Sequence, residues 1–479
     1  MNIKLVAKIL GMLLCCEAAA MLPSLAIAAA RAGSDLSAFL YSILVIGVIG
    51  FSLALIRPQT TKTGPKEGFV IAAFGWLLLA LFGTLPFIIS GELVHPVDAF
   101  FETMSGFTTT GASVIDDIES LPKGLLFWRS LTHWLGGMGI IVLTLALIPS
   151  LNIAGLQMFK AEVPGPTKSK ALPRVAQTSR QLYKLYLGVS LMLVLLLKMA
   201  GMTWFDSFIH TFGTVATGGF SSKASSIGAY GDPIIELIIV VFMIACGINF
   251  GLYFSLIKGD RLALFKDAET RVYLSIIFIA VFLIGINLVK TADYEMVKAF
   301  REALFQVASI MTSTGYATAD FDRWPDFSRY LLVMLMFVGA CAGSTGGGIK
   351  VVRFIILFKA AAHQLKKLVH PQAVIPLRVG RLVMSKEVVQ AVQNFFILHI
   401  FILAAVTAFL TLLGLDIISA FSATIATLSN IGPGLGLVGP AETYSALPAA
   451  AKVVLAFCML IGRLEIYTVL VVFTVKFWE

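Results

Sequence analysis

Residues 308–318 read ASIMTSTGYAT. Serine and threonines beside a glycine offer little to lipid, and the glycine weakens a helix. Yet the stretch sits between two strongly apolar runs, at a depth where spanning segments are expected. Irregular backbone at membrane depth persists only where protein buries it or where it lines a water-filled path. What Ser313, Thr314, Gly315 and Tyr316 face therefore decides how the rest of the chain is arranged.

The surrounding composition is that of a membrane protein. Of 479 residues, 58% are hydrophobic and 13% charged, with 36 phenylalanines and a mean hydropathy of +0.91. A soluble chain carries about twice that share of charge. Apolar runs of spanning length fall at 4–30, 37–56, 69–90, 124–148, 181–202, 233–257, 272–290, 328–358, 389–414 and 447–475, which predicts about ten spans. Basic residues collect in alternate connections. Arg57, Lys62 and Lys66 occupy one, and Lys160, Lys168, Lys170, Arg174, Arg180 and Lys184 the next. Lys258, Arg261, Lys266 and Arg271 follow, then Lys359, Lys366, Lys367, Arg378, Arg381 and Lys386. The intervening connections hold Asp116, Asp117, Glu119, Asp206, Asp232, Asp320, Asp322 and Glu442. The positive-inside rule puts the basic connections and both termini in the cytoplasm. The net charge of +9 is thus a topology signal, and no nucleic-acid partner is expected.

The N-terminus MNIKLVAKILGMLLCCEAAA has the basic start and apolar middle of a signal peptide. Its apolar stretch is longer than a signal core and a second span follows closely, so a retained helical hairpin is expected. Glu17, inside that first span, is expected to hydrogen-bond between helices. The five cysteines lie in apolar segments without metal spacing, and the six histidines form no paired ligand pattern. No hydrolase or kinase signature occurs. GSTGGGIK, at 343–350, brushes against a phosphate-binding loop, but its spacing is wrong and it lies within an apolar run. An integral-membrane enzyme would need a nucleophile–base pair or a metal cluster, and neither is legible.

A repeat answers the opening question. AFFETMSGFTTTGAS, SFIHTFGTVATGGFS, ALFQVASIMTSTGYA and AFSATIATLSNIGPG align on Gly111, Gly218, Gly315 and Gly432. Thr110, Thr217, Thr314 and Ile431 precede these glycines, and Thr109, Ala216, Ser313 and Asn430 stand one position earlier. Phe101, Phe208, Phe305 and Ser422 stand ten residues before them. Each anchor follows a semi-polar segment too short to span, flanked by full spans, so the unit is span, short helix, loop, span, four times over. A short helix entering from outside points the negative end of its dipole at the membrane centre. The segment after it climbs back in extended form, and glycine lets its carbonyls turn one way. Four such segments around one axis can replace the hydration shell of an alkali cation.

Thr314-Gly315-Tyr316 resembles the TVGYG filter of potassium channels. Four degenerate copies in one chain resemble the Trk/Ktr/HKT superfamily of potassium transporters, and two extra spans before the first copy resemble its TrkH branch. The implied fold is an all-α polytopic membrane protein: four span–pore-helix–filter–span repeats in pseudo-fourfold arrangement, K+ channel-like, plus two N-terminal transmembrane helices. The divisions are 1–60 for the N-terminal hairpin, then 61–160, 161–260, 261–360 and 361–479 for the four repeats. The resemblance implies K+ as the transported ion and no cofactor in this chain. The ion would be held by backbone carbonyls of Thr110, Gly111, Thr217, Gly218, Thr314, Gly315, Ile431 and Gly432. The family's sodium-preferring relatives carry serine at the first of these glycines; here all four are glycine. The fourth loop departs furthest, with Ile431 before the glycine and Pro433 after it, and a sodium-selective or poorly selective member is the alternative.

A second stretch, FVGACAGSTGGGIKVVRF at 337–354, interrupts a span with Gly339, Gly343, Gly346, Gly347 and Gly348. On physical grounds it is a broken helix below the filter. It resembles the family's intramembrane gating loop, which assigns gating to Gly343, Ser344, Thr345, Gly346, Gly347 and Gly348, with Lys350 near the cytoplasmic end. Arg463 is a mid-span guanidinium and a functional candidate by default. It matches the family's arginine in the last inner helix, either repelling cations or pairing with carbonyls of the glycine-rich loop; Glu465 is too close in sequence to be its partner. Asp98, Glu102 and Asp320 flank the outer ends of the loops, either concentrating cations or as ordinary surface charge. The driving force is read as the membrane potential, with coupling to H+ or Na+ left open. The resemblance further implies a homodimer in the bacterial inner membrane with a cytosolic nucleotide-binding regulatory ring of the TrkA or KtrA type.

Overall fold

The computed structural model describes residues 1–58, 64–151, 171–372, 376–380 and 382–479. Lys62, Lys160, Lys168, Lys170 and Arg381, used above for topology, lie outside the described residues, as do the repeat boundaries at 60–61 and 160–161. Among the described residues the chain is helical, apart from one antiparallel strand pair, Arg378–Val379 with Leu382–Val383.

Helix Ile3–Ala20 continues through Met21 into Leu22–Ala30, and Leu36–Ala54 returns alongside it. This N-terminal hairpin packs on the outer helix of the first repeat. Close approach is made possible by small residues: a Cβ on Gly11 would stand 2.7 Å from the Gly50 carbonyl oxygen. Asp35, at the turn into the second arm, accepts the Leu125 backbone N–H at 3.0 Å. The hairpin thereby caps the inner helix of a repeat to which it does not belong. Glu17 is buried, but neither carboxylate oxygen meets a donor among the described residues, so the expected interhelical hydrogen bond is not made there.

The four repeats follow. Their outer helices are Pro65–Phe82, Ala171–Met199, Ala268–Thr291 and Lys386–Leu412. Their pore helices are Pro96–Phe107, Trp204–Val215, Met296–Met311 and Ile417–Leu428. Three begin on residues that favour a helix N-terminus, with Pro96 at the first turn, Thr203 accepting from the Asp206 N–H, and Asp416 accepting from the Ser419 N–H. The first inner helix is Lys123–Leu151.

The other three inner helices are broken. Pro233–Cys246 turns by 93° into Phe250–Ile257, and Ala449–Leu464 turns by 115° at Glu465 into Ile466–Phe473. The third stops at Val338 and resumes at Val351. Hydropathy reads the runs 233–257 and 447–475 as one straight span each; the structure corrects both. The reason is that both arms of each bend are apolar, and hydropathy carries no directional information. Among the described residues six helices are long and apolar enough to cross a membrane, or eight with each bent pair as one span. The apolar runs 124–148 and 328–358 correspond to Lys123–Leu151 and to the interrupted third inner helix.

Candidate functional site

Each pore helix ends in the same backbone signature. The residue after the cap takes a left-handed conformation although it is not glycine: Thr109 (φ 52°), Thr217 (54°), Ser313 (57°) and Asn430 (55°). The next residue donates its N–H back across the helix end, Thr110 to Ser105, Gly218 to Gly213, Thr314 to Ser309 and Ile431 to Ala426, at 2.7–2.8 Å. The following glycine is left-handed again: Gly111 (82°), Gly219 (83°), Gly315 (81°) and Gly432 (101°). Strain of this kind at four matching positions is a feature of a built site.

The second repeat is therefore shifted by one residue from the sequence alignment. Ala216 is the helix cap, the equivalent of Thr108, Thr312 and Ser429. Thr217 takes the place of Thr109, Gly218 that of Thr110, and Gly219 is the loop glycine. The cause is the glycine pair, in which Thr217-Gly218 imitates the Thr-Gly of the other loops. Gly218 has its own reason to be glycine: a Cβ there would stand 2.4 Å from Nδ1 of His133. The same shift puts buried Ile209, rather than half-buried Phe208, in register with Phe101 and Phe305.

The four glycines close a ring. A Cβ on Gly111 would lie 2.1 Å from the Gly218 carbonyl oxygen, one on Gly219 1.9 Å from that of Thr314, and one on Gly315 1.9 Å from that of Ile431. A Cβ on Gly432 would lie 2.8 Å from the Thr110 carbonyl oxygen, which returns the circuit to the first repeat. Backbone thus meets backbone at all four seams, at a separation that excludes side chains. The fourth strand is the least like the others. Its Gly432 carbonyl accepts a hydrogen bond from Tyr444 Oη at 2.7 Å, and the Asn430 amide donates to Thr110 Oγ1 (3.0 Å) and to the Met459 carbonyl (2.8 Å). In the third strand Tyr316 is fully buried, and its hydroxyl lies 3.2 and 3.3 Å from the carbonyls of His210 and Phe220.

The glycine-rich segment 339–350 packs against the underside of this ring. Thr345 Oγ1 donates to the carbonyl of Val215, the last residue of the second pore helix, at 3.0 Å. The Gly347 N–H donates to Ser313 Oγ at 2.5 Å. A Cβ on Gly347 would stand 2.3 Å from the Ser429 carbonyl, so the fourth repeat is touched as well. Arg463 Nη1 donates to the Thr345 carbonyl at 2.8 Å. Of the two readings of Arg463, this geometry is that of a guanidinium paired with the loop. Lys350 Nζ donates to the Gly346 carbonyl within the segment. Both flanks are fastened by Glu269, whose Oε1 accepts from the N–H groups of Ala342 (2.8 Å) and Val352 (3.0 Å). Glu465 pairs with Arg353, and so not with Arg463.

Several of these residues carry signals that sequence reading passes over. Arg129 is an arginine within an apolar run, and Glu102 a carboxylate in a pore helix; they form a buried ion pair at 2.5 Å. Of the three carboxylates considered for the outer mouth, Glu102 is therefore unable to concentrate cations. Asp98 pairs with Lys452 at 2.7 Å and Asp320 with Arg323 at 3.0 Å. Glu269 stands among loop charges and gives no such signal.

Comparison with known proteins adds to this geometry. The family TrkH, described as cation transport protein, matches residues 37–478. The Trk system potassium uptake proteins TrkH of Halomonas elongata and Escherichia coli K12 are 38% and 39% identical, each over the full length of both chains. The crystal structure of the potassium transporter TrkH from Vibrio parahaemolyticus superposes with a TM-score of 0.92 at 37% identity, covering all of both chains.

Proposed function

The chain belongs to the TrkH family of cation transport proteins, and on that premise we propose that it takes up potassium through the four-strand ring, which acts as its selectivity filter. The observation that carries this reading is the closed circuit of glycine against neighbouring carbonyl through Gly111, Gly219, Gly315 and Gly432. Backbone oxygens fixed at that spacing suit a dehydrated monovalent cation, and each exchange of water for carbonyl needs no side-chain charge. The membrane potential supplies the driving force.

In the same reading the segment 343–348 is the gate. It lies against the ends of the second, third and fourth pore-helix strands, and Arg463 holds it there through the Thr345 carbonyl. The protein works in the inner membrane as a homodimer, with a cytosolic nucleotide-binding regulatory ring. The exposed basic end of helix Val351–Val369, with Lys366 and Lys367 in its last turn, supports a docking surface continuous with the gate. The basic connections favour the cytoplasmic side for that surface and for both termini.

The test is the reversal potential of the purified protein in liposomes under potassium–sodium bi-ionic gradients, wild type against Gly315→Ser. The expected result is a strong potassium preference that weakens in the variant. A wild type that conducts without discriminating between the two ions would overturn the filter assignment.

A further inference from the structure

Behind the filter, the four repeats tether their ascending strands differently. In the second repeat His210 Nε2 lies 3.0 Å from Ser221 Oγ; in the third Gln306 reaches Thr318; in the fourth Ser422 Oγ accepts from the Leu435 N–H at 3.0 Å. These are neutral bonds within one repeat, joined in the second by the half-buried Asp206, which accepts from Ser222 Oγ at 2.6 Å. The first repeat uses a carboxylate paired with a buried cation. Glu102 accepts from the Val114 N–H (2.9 Å) and from Ser113 Oγ (3.2 Å), both on the strand that rises from Gly111.

The partner of that carboxylate crosses the seam. Arg129, on the first inner helix, donates Nε to Glu102 at 2.5 Å and Nη1 to the Ser221 carbonyl of the second repeat at 3.1 Å. Its guanidinium carbon stands 3.5 Å from the ring centroid of Phe220, the residue directly after Gly219. One turn further along the helix, His133 stacks on the same Phe220 ring at 4.0 Å. Arg129 and Glu102 are 2% and 1% exposed. A buried ion pair of this kind gains little over an apolar pair in stability, because both charges are desolvated. What it adds is direction: a planar fork with its donors at fixed angles, here joined to two filter strands at once.

We propose that Arg129 and Glu102 are the positioning pair that sets the separation of the first and second filter strands, and so the ion discrimination of the pore. The proposal rests on the filter reading above. Glu102 fixes the strand that leaves Gly111, Arg129 fixes the strand that leaves Gly219, and the ion pair makes the two move together. Among the described residues the other seams also carry ion pairs, Arg301 with Glu236, Arg329 with Asp322 (which accepts the Gly436 N–H) and Lys452 with Asp98. Each of these has a partner open to solvent, whereas both members of Arg129–Glu102 are buried. The third strand otherwise meets the second through the Tyr316 hydroxyl, and the fourth meets the first through the Asn430 amide.

The experiment compares potassium–sodium bi-ionic reversal potentials of wild type, Glu102→Gln, Arg129→Lys and Phe220→Leu in liposomes, with thermal unfolding of each in detergent. Glu102→Gln keeps the shape and removes the charge, and Arg129→Lys keeps the charge and removes the fork. Both should still pass potassium while the potassium-to-sodium permeability ratio falls at least about fivefold. The unfolding temperature should fall in Glu102→Gln, which leaves the buried guanidinium without its counter-charge, and less in Arg129→Lys, which keeps the pair. Phe220→Leu leaves the ion pair intact and should lower the ratio by about twofold. The paired variant Glu102→Gln/Arg129→Gln replaces the ions by amides and should recover part of the ratio, because no charge is left buried alone. If a single variant fails to fold, the paired variant and Phe220→Leu decide the matter. A selective wild type whose variants keep its ratio would overturn the positioning role and leave the filter reading standing. A non-selective wild type would remove the filter reading itself.

Discussion

The ring and the segment beneath it are both glycine-rich backbone at membrane depth, but they are held in opposite ways. In the ring each strand is fixed by its neighbour's main chain, four times around, with glycine Cα atoms against carbonyl oxygens. In segment 339–350 the chain is fixed at separate points, by the side chains of Thr345, Ser313, Arg463, Lys350 and Glu269. Two main-chain bonds to the break in the second inner helix add to these, Cys341 N–H to the Gly247 carbonyl and Phe250 N–H to the Gly343 carbonyl. A structure made of repeated main-chain contacts cannot give way at one place without opening the circuit. A structure held by separate, unlike hydrogen bonds can be released one bond at a time. That difference suits the first to selecting and the second to moving.

The largest effect should come from placing a methyl group inside the ring. Gly219→Ala and Gly315→Ala each bring a Cβ to 1.9 Å from a carbonyl oxygen, at positive φ where a side chain costs about 1–2 kcal/mol before any clash. Potassium flux in liposomes should fall by at least about tenfold in both. The pair also tests the register, since the sequence alignment gives the anchor role to Gly218. If Gly219→Ala conducts like wild type, the one-residue shift is wrong and so is the circuit.

Release of the segment comes next in size. Arg463→Ala removes the donor to the Thr345 carbonyl; hydrogen bonds from charged groups contribute about 1.5–3 kcal/mol. Flux without any regulatory partner should rise about tenfold with the potassium-to-sodium ratio unchanged. A fall in flux, or a change in the ratio, would mean that Arg463 acts on the ring and not on the segment. Glu269→Gln is milder, since both bonds end on Oε1 and an amide oxygen in its place can keep the bonds to Ala342 and Val352, weakened by the loss of charge. A rise of about threefold is expected.

The same contrast explains what was legible in the sequence. The ring is periodic, so four weak matches reinforced one another, and Thr109, Thr110, Gly111, Ser313, Thr314, Gly315, Asn430, Ile431 and Gly432 fall in equivalent backbone positions. It failed only where local sequence imitated itself, at Thr217-Gly218-Gly219. The glycines of 339–348 were visible by composition. Their anchors were not, because Glu269 and Ser313 lie 73 and 34 residues away along the chain from the groups they bind. The bends at 247–249 and at Glu465 were hidden for another reason: an apolar helix that turns has the same composition as one that continues. Arg129 and Glu102 could have been found, since a charge in an apolar run asks for a partner; which partner is a matter of three-dimensional placement.

The smallest effect sharpens the comparison most, because it concerns the one ring glycine, among the described residues, whose own carbonyl is held by a side chain. Gly432 has a larger φ than the other three glycines, and its carbonyl is held by the Tyr444 hydroxyl at 2.7 Å. Tyr444→Phe removes that bond and nothing else of the buried ring, which continues to pack against Phe101. A neutral hydrogen bond contributes about 0.5–1.5 kcal/mol, so discrimination between potassium and rubidium, read from bi-ionic reversal potentials, should change by about two- to threefold. If main-chain contacts alone fixed the ring, the substitution would leave discrimination as it was. If the change instead matched that of Gly315→Ala, the fourth strand would depend on its side chains as the segment does. The intermediate value is expected because Gly432 still abuts the Thr110 carbonyl, which limits how far its own carbonyl can turn.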